Sequence, residues 1–336
     1  MRINNVSFQA IYEALRVPSD PLLIICHVSP DGDAIGAALA VAHLCDTFGR
    51  PCVLVNDDEI PERYQFLPGV ERFLRTSAVT EFFQYAVAVD CADLRRLGEA
   101  VRLIAPNGQL INIDHHGTNN HFGTLNLVQA EASATCLVLY RFIRANQLPM
   151  NRSLALVLYT GIVFDTGGFH YNNTTPEIHL AAADLLSYDI EPFLVADRVL
   201  EAMTREQIEL VRLGLSTLTV HESGLIAYVA VDQSMLKASG ARDGDVEVLL
   251  PYPRTLVGVE VGLLFRERPD GMVKVSLRSR EFVDVAQIAL VFGGGGHVRA
   301  AGCEVPGPLQ SAVQIVMKEV EAAVHETLHK VREANA

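Results

Sequence analysis

Short apolar runs separated by amphipathic stretches set the rhythm of the first half of this chain. Leu22 to Cys26, Pro51 to Val55, Tyr85 to Val89 and Leu110 to Ile113 are near-continuous apolar segments of strand length. That is the pattern of strands buried on both faces of a parallel sheet. Between the first two, Asp33 is positioned to cap a helix running from Ala34 through Leu39, Leu44 and Phe48, with Gly49 as its stop. A further helix passes through Leu94 and Leu97. Ser133 to Asn146 and Arg152 to Val163 read as helices that are apolar on more than one face and pack on the sheet. Thr175 and Pro176 open another, ending near Leu186.

Beyond this half, Glu191 to Leu218 reads as charged amphipathic helices. Strands follow at Leu225 to Val231, Val257 to Phe265 and Met272 to Leu277, and the closing helix contains Val313, Ile315 and Val316. The expected fold is α/β with two domains. The larger, residues 1–190, holds a mostly parallel sheet flanked by helices; 191–218 is a helical linker; the smaller α/β domain is 219–336. Two cores suit a chain of 336 residues, longer than the ~250 to 300 at which single cores usually split.

Composition narrows the partners. With 49% hydrophobic and 20% charged residues the chain is an ordinary globular one. A net charge of −13 argues against gripping long duplex nucleic acid, which needs an excess of Lys and Arg. Met1 to Asp20 lacks the features of a secretory signal, and no apolar run has the length of a membrane span, so a cytoplasmic protein without membrane association is expected. The six Cys stand singly in apolar contexts without Cys-x-x-Cys spacing, as reduced core residues do.

Chemistry collects where the apolar runs end. His27-Val-Ser-Pro-Asp31-Gly-Asp33 follows the first, Asp90 the third, and Asp114-His115-His116 the fourth, while Asp165 follows a helix. Asp31 as a turn residue, Asp33 as a cap and His27 as a strand end would explain the first cluster alone. Recurrence at four such places favours a metal site, since Asp31 and Asp33 repel one another without a cation. Asp114 is placed to orient a ligating imidazole. In the second half, Gly293 to Gly296 precedes His297, Arg299 and Gly302, small residues beside an imidazole and a guanidinium, as a nucleotide pocket requires.

These motifs, together with Thr160 to Thr166 and Ser276-Leu-Arg278-Ser279, resemble the DHH phosphoesterase family over nearly the whole chain. The glycine-rich second half resembles its oligoribonuclease (nanoRNase) and 3′-phosphoadenosine 5′-phosphate phosphatase branch. The resemblance implies an active site in the cleft between the domains and two Mn²⁺, with Mg²⁺ or Co²⁺ as substitutes. It implies that His27, Asp31 and Asp90 hold one ion and Asp33, Asp90, His115 and Asp165 the other, with Asp90 shared and His116 as general acid. It places Arg278, Ser279, Gly294, Gly295, His297 and Arg299 around the terminal phosphate and nucleotide, with Arg254 as an additional position.

The implied substrates are short oligoribonucleotides and the nucleotide bisphosphate, and the implied assembly is a homodimer. A phosphodiesterase for linear or cyclic dinucleotides of the c-di-AMP or c-di-GMP type is the rival enzyme, and an RNA-binding module the non-enzymatic alternative. The chain departs from the family at Ala134 and Cys136, where related sequences carry a second hydroxyl and a Glu.

Overall fold

The computed structural model describes residues 5–17 and 19–334, with the side chains of 297 and 329–334 outside the described set. It divides into two compact units, Met1–Ala202 and Met203–Ala336. The first begins with α1 (Phe8–Arg16), β1 (Leu22–Cys26), α2 (Gly32–Phe48), β2 (Cys52–Asn56), β3 (Phe73–Arg75) and β4 (Phe83–Val89). It continues with β5 (Ile104–Asp114), β6 (Leu125–Val128), α3 (Thr135–Ala145), α4 (Arg152–Asp165), α5 (Pro176–Leu186) and α6 (Pro192–Ala196).

Its six strands lie in the order β3-β2-β1-β4-β5-β6, and every pairing is parallel. Alternation along β1 explains why its run is apolar throughout. Leu22, Ile24 and Cys26 enter a core shared with the helices, while Leu23 and Ile25 enter a second core on the other face with Leu97, Ala100 and Leu103. That second face is covered by 3₁₀ turns over Leu94–Leu103, which break at Gly98 (φ 62°, ψ −144°) where a helix was expected.

The division between units falls inside the helical segment 191–218. α6 belongs to the first unit, and α7 (Arg205–Leu215) packs Leu210 and Val211 into a core of the second. The second unit continues with β7 (Thr219–Val220), β8 (Ile226–Val231), α8 (Gln233–Ser239), α9 (Pro251–Thr255), β9 (Val261–Glu267) and β10 (Met272–Ser279). It ends with α10 (Val285–Val291), β11 (Gly295–His297), β12 (Ala300–Pro306) and α11 (Leu309–Ala334). Its sheet order is β11-β12-β10-β9-β8-β7, antiparallel except for β8 with β9. Val257, expected to begin a strand, is 99% exposed, and β9 starts at Val261. No helix among the described residues is long and apolar enough to cross a membrane.

Candidate metal centre

The order of the first sheet sets β1 beside β4 at the point where connections depart in opposite directions, and there open α/β sheets form a crevice at the strands' carboxyl ends. His27 follows β1, Asp90 follows β4, and Asp114 ends β5 with His115 and His116 next. Asp90 adopts a left-handed backbone (φ 54°), which costs a non-glycine residue about 1–2 kcal/mol. The carboxylate it presents stands between two imidazoles. Oδ2 lies 3.6 Å from His27 Nε2 and Oδ1 3.6 Å from His115 Nε2.

Asp31 Oδ2 approaches His27 Nε2 to 3.6 Å, and Asp165 Oδ2, from the last residue of α4, approaches His115 Nε2 to 3.1 Å. The donor atoms of His27, Asp31 and Asp90 lie within 4.8 Å of one another. The same holds for Asp33, His115 and Asp165, and for Asp90, His115 and His116. All six residues singled out as ligands, and His116, therefore meet at one end of one sheet.

Asp33 does not cap α2. Asp31 does, accepting from the amides of Asp33 and Ala34 at 3.1 Å each. Asp33 lies in the first turn with no exposure, and its carboxylate accepts from the amides of Thr135 (2.6 Å) and Cys136 (2.9 Å). It thus serves as the anion at the amino terminus of α3, whose own cap position is Ala134, a residue without a side-chain acceptor. Each carboxylate oxygen retains a lone pair for a cation.

The three imidazoles are oriented alike. Nδ1 of His27 contacts Val28 O at 2.8 Å, Nδ1 of His115 contacts Ala132 O at 3.1 Å, and Nδ1 of His116 contacts Asp114 Oδ1 at 2.8 Å. These acceptors assign the proton to Nδ1, leaving each Nε2 for a metal or a substrate. Asp114 therefore orients His116 instead of His115, the expected ligand, whose partner is a carbonyl. Arg96 Nη2 also stands 3.2 Å from His27 Nδ1, but a protonated Nδ1 cannot accept from it.

The electrostatics of the cluster suit a cation. Burial opposes charge on His27, yet Asp31 and Asp90 outweigh it and push the imidazole up to about 10. Burial likewise opposes charge on His115, and Asp165, Asp90 and Asp33 carry it up to about 11. Burial, then Asp90 and Asp165, raise Asp33 well above the usual carboxylate range. Burial pushes Asp165 up to about 6 against the pull of His115. Asp90 is held low because His27, His115 and His116 overcome its burial. Imidazolium protons here do the neutralising work that divalent cations do on displacing them, so the donor set fits metal ions.

Sequence reading missed the supports. Thr135 Oγ1 donates to Asp90 Oδ1 at 2.8 Å, so this buried residue holds Asp33 through its amide and Asp90 through its hydroxyl. Asn119 Nδ2 bonds Asp114 Oδ2 (2.5 Å) and Asn112 Oδ1 (2.8 Å). Buried Asn112 within the otherwise apolar run Leu110 to Ile113 was the available signal. Thr135→Val is expected to weaken metal affinity and turnover together by ~10–100-fold, the usual cost of losing such a partner, whereas Thr135→Ser restores both. Calorimetric titration of Mn²⁺ into each variant checks this, and equal affinity in the Val variant would remove Thr135 from the site.

The expected substrate residues of the second unit lie around β9, β10 and the β11–β12 hairpin. Gly294 and Gly296 are required by packing, since a Cβ at either would come within 2.2 Å of Gly302 O or 2.5 Å of Ala300 O. At Gly295 a Cβ would meet open space. Arg299 donates to Val283 O at 2.8 Å and to Glu281 O, bonds that hold the chain on either side of Phe282. Ser279 is buried, with Oγ 3.4 Å from Val298 O. Arg278 Nη1 donates to Leu277 O at 3.0 Å, and the Arg254 carbonyl accepts from Arg280. The side chain of His297 lies outside the described residues.

A buried carboxylate and imidazole cluster at the switch point of a parallel sheet is an arrangement suited to a metal-dependent enzyme. Residues 21–162 match the DHH family, N-terminal domain, and residues 223–326 match the DHHA1 domain. The chain is 35% identical over 311 residues to the bifunctional oligoribonuclease and PAP phosphatase NrnA of Thermus thermophilus, covering 92% of each. It is 29% identical over 285 residues to the probable bifunctional oligoribonuclease and PAP phosphatase NrnA of Streptococcus mutans, covering 84% of this chain and 89% of that one. The crystal structure of an exopolyphosphatase-related protein from Bacteroides fragilis superposes with a TM-score of 0.86 at 25% identity, covering 94% of this chain and 95% of that one. The chain belongs to the DHH family and is a hydrolase of its phosphoesterase class.

Proposed function

We propose that this protein is a manganese-dependent hydrolase of short oligoribonucleotides that also removes the 3′-phosphate of 3′-phosphoadenosine 5′-phosphate. The observation that carries this reading is Asp90 standing between His27 and His115, with Asp31 and Asp165 beyond them. Support for the substrates comes from the names of the Thermus and Streptococcus relatives. His27, Asp31 and Asp90 would hold one cation, and Asp33, Asp90, His115 and Asp165 a second. Oxygen and imidazole donors without thiolate suit Mn²⁺ or Mg²⁺. When bound, such ions supply Lewis acidity that stabilises charge on a phosphoryl oxygen.

His116 supplies the proton. Burial opposes its charge, but Asp114 raises the imidazole, so the cationic form is available and Nε2–H can protonate the leaving ribose oxygen. From the second unit, Arg278, Ser279, Gly294, Gly295, His297 and Arg299 would receive the terminal phosphate and nucleotide, with Arg254 as an additional position. Arg278→Ala is expected to raise KM with little change in kcat; unchanged constants in steady-state kinetics would move the nucleotide elsewhere.

The reading is tested by Mn²⁺-dependent turnover of a 5′-phosphorylated RNA dinucleotide, a longer RNA, a cyclic dinucleotide and the bisphosphate, each against a chelator control. Fast cleavage of the dinucleotide and bisphosphate with slow cleavage of the longer RNA is expected. Preference for the cyclic substrate would reassign the enzyme to dinucleotide signalling, and no turnover of any would favour an RNA-binding module.

A further inference from the structure

We propose that Arg63 is a stacking platform for the base of the 3′ nucleoside, the one beyond the scissile phosphate, and so favours short RNA over the nucleotide bisphosphate. This rests on the hydrolase reading above and adds a subsite to it. β2 runs parallel to β1, so the chain leaving it emerges at the same end of the sheet as His27 and Asp90. There it forms a 3₁₀ turn over Glu62–Tyr64. Tyr64 is fully buried in the core shared with α2 and α4, and its neighbour Arg63 is exposed.

The Arg63 guanidinium lies back on two aromatic rings. Its Cζ stands over the Tyr64 ring, 5.0 Å from the centroid, and over the Phe164 ring, 5.9 Å from the centroid. Phe164 precedes Asp165 in α4, and it packs on the backbone between Asp31 and Asp33. A Cβ at Gly32 would come within 2.7 Å of Phe164 Cβ. The guanidinium is thus held over a ring that adjoins Asp31, Asp33 and Asp165, beside the metal centre and not in it. Arg72, Arg141 and Arg144 of the same unit each pair with a carboxylate. Among the described residues Arg63 has no such pair, in a chain of net charge −13.

A guanidinium with rings on one side offers a flat, weakly hydrated face on the other. Unstacked bases of single-stranded RNA are recognised by stacking on such planes. The substrates then decide which base it takes. The terminal phosphate and nucleotide fall to the second unit in this reading, and the scissile phosphate to the cations. What remains for a surface of the first unit is the 3′ nucleoside, which an oligoribonucleotide has and 3′-phosphoadenosine 5′-phosphate lacks. Every base has a π face, so the subsite sorts by the presence of a nucleoside and not by its identity.

The test is steady-state kinetics of Arg63→Ala on a 5′-phosphorylated RNA dinucleotide and on the bisphosphate. The ratio of kcat/KM for the dinucleotide to that for the bisphosphate should fall about 10-fold, carried by KM, as loss of one stacked base implies. Arg63→Lys keeps the charge but not the plane and should leave the ratio low. A dinucleotide with 2-aminopurine as its 3′ base, titrated into the chelated full-length protein, gives a readout independent of turnover. Its fluorescence should be quenched by the wild type and not by Arg63→Ala. An unchanged ratio in Arg63→Ala, a ratio restored by Arg63→Lys, or the same fluorescence with wild type and Arg63→Ala would overturn the proposal. Quenching by a wild type that hydrolyses neither substrate would remove the hydrolase reading and keep Arg63 as the base platform.

Discussion

Asp90→Ala is expected to lose hydrolysis by about 10³-fold or more, beyond the ~10–100-fold typical of removing an outer hydrogen-bond partner. Both oxygens of Asp90 face imidazoles, so its loss strips a donor from both proposed cation sites at once. Asp90→Asn separates charge from shape, because Asn tolerates the left-handed backbone and keeps an oxygen for Thr135. Both variants should fold, shown by an unchanged circular dichroism spectrum, while Mn²⁺ titration shows a deficit in each. Wild-type turnover in either would remove Asp90 from the mechanism.

Gly161→Ala should damage both fold and site from a position that touches no substrate. A Cβ there would lie 2.3 Å from Cys136 Sγ and 2.5 Å from Asp33 Oδ1, at the crossing of α2 with α4. Intrinsic helix propensity favours Ala by about 1 kcal/mol, so the net sign depends on how far the neighbours can yield. Both are fully buried, and overpacking of such sites costs about 1–3 kcal/mol. A fall in thermal midpoint of a few degrees is expected with reduced Mn²⁺ affinity. Adding Cys136→Ala should recover part of the stability, since Cβ of residue 136 stays at 2.9 Å, but leave the metal deficit, because the Asp33 contact remains. An unaltered midpoint and affinity in Gly161→Ala would show that the crossing is looser than described.

The strands of the first sheet were legible because burial on both faces leaves apolar runs that have few other readings, as Leu22 to Cys26 shows. The cluster was legible because His27, Asp90 and His115 directly follow such runs, and a parallel sheet aligns those ends. What failed depended on contacts remote in sequence. Asp33 has the look of a local cap, but its partners are the amides of residues 135 and 136 in another helix. The turns after Asp93 are 3₁₀ and break at Gly98. Two of the glycines from 293 to 296 are also required by the neighbouring strand β12, a constraint the run itself does not announce. Arg299 likewise bonds carbonyls of residues 281 and 283, which no local pattern announces.

The central claim is a cation-dependent centre built on Asp90 in the first unit. Its most direct test counts Mn²⁺ bound per chain and measures cleavage of a 5′-phosphorylated RNA dinucleotide on the same chelator-stripped sample as metal is returned. Two ions per chain, with turnover rising as the second binds and neither restored in Asp90→Ala, is the predicted result. Full turnover in the stripped protein, or uptake of two ions by Asp90→Ala, would contradict it.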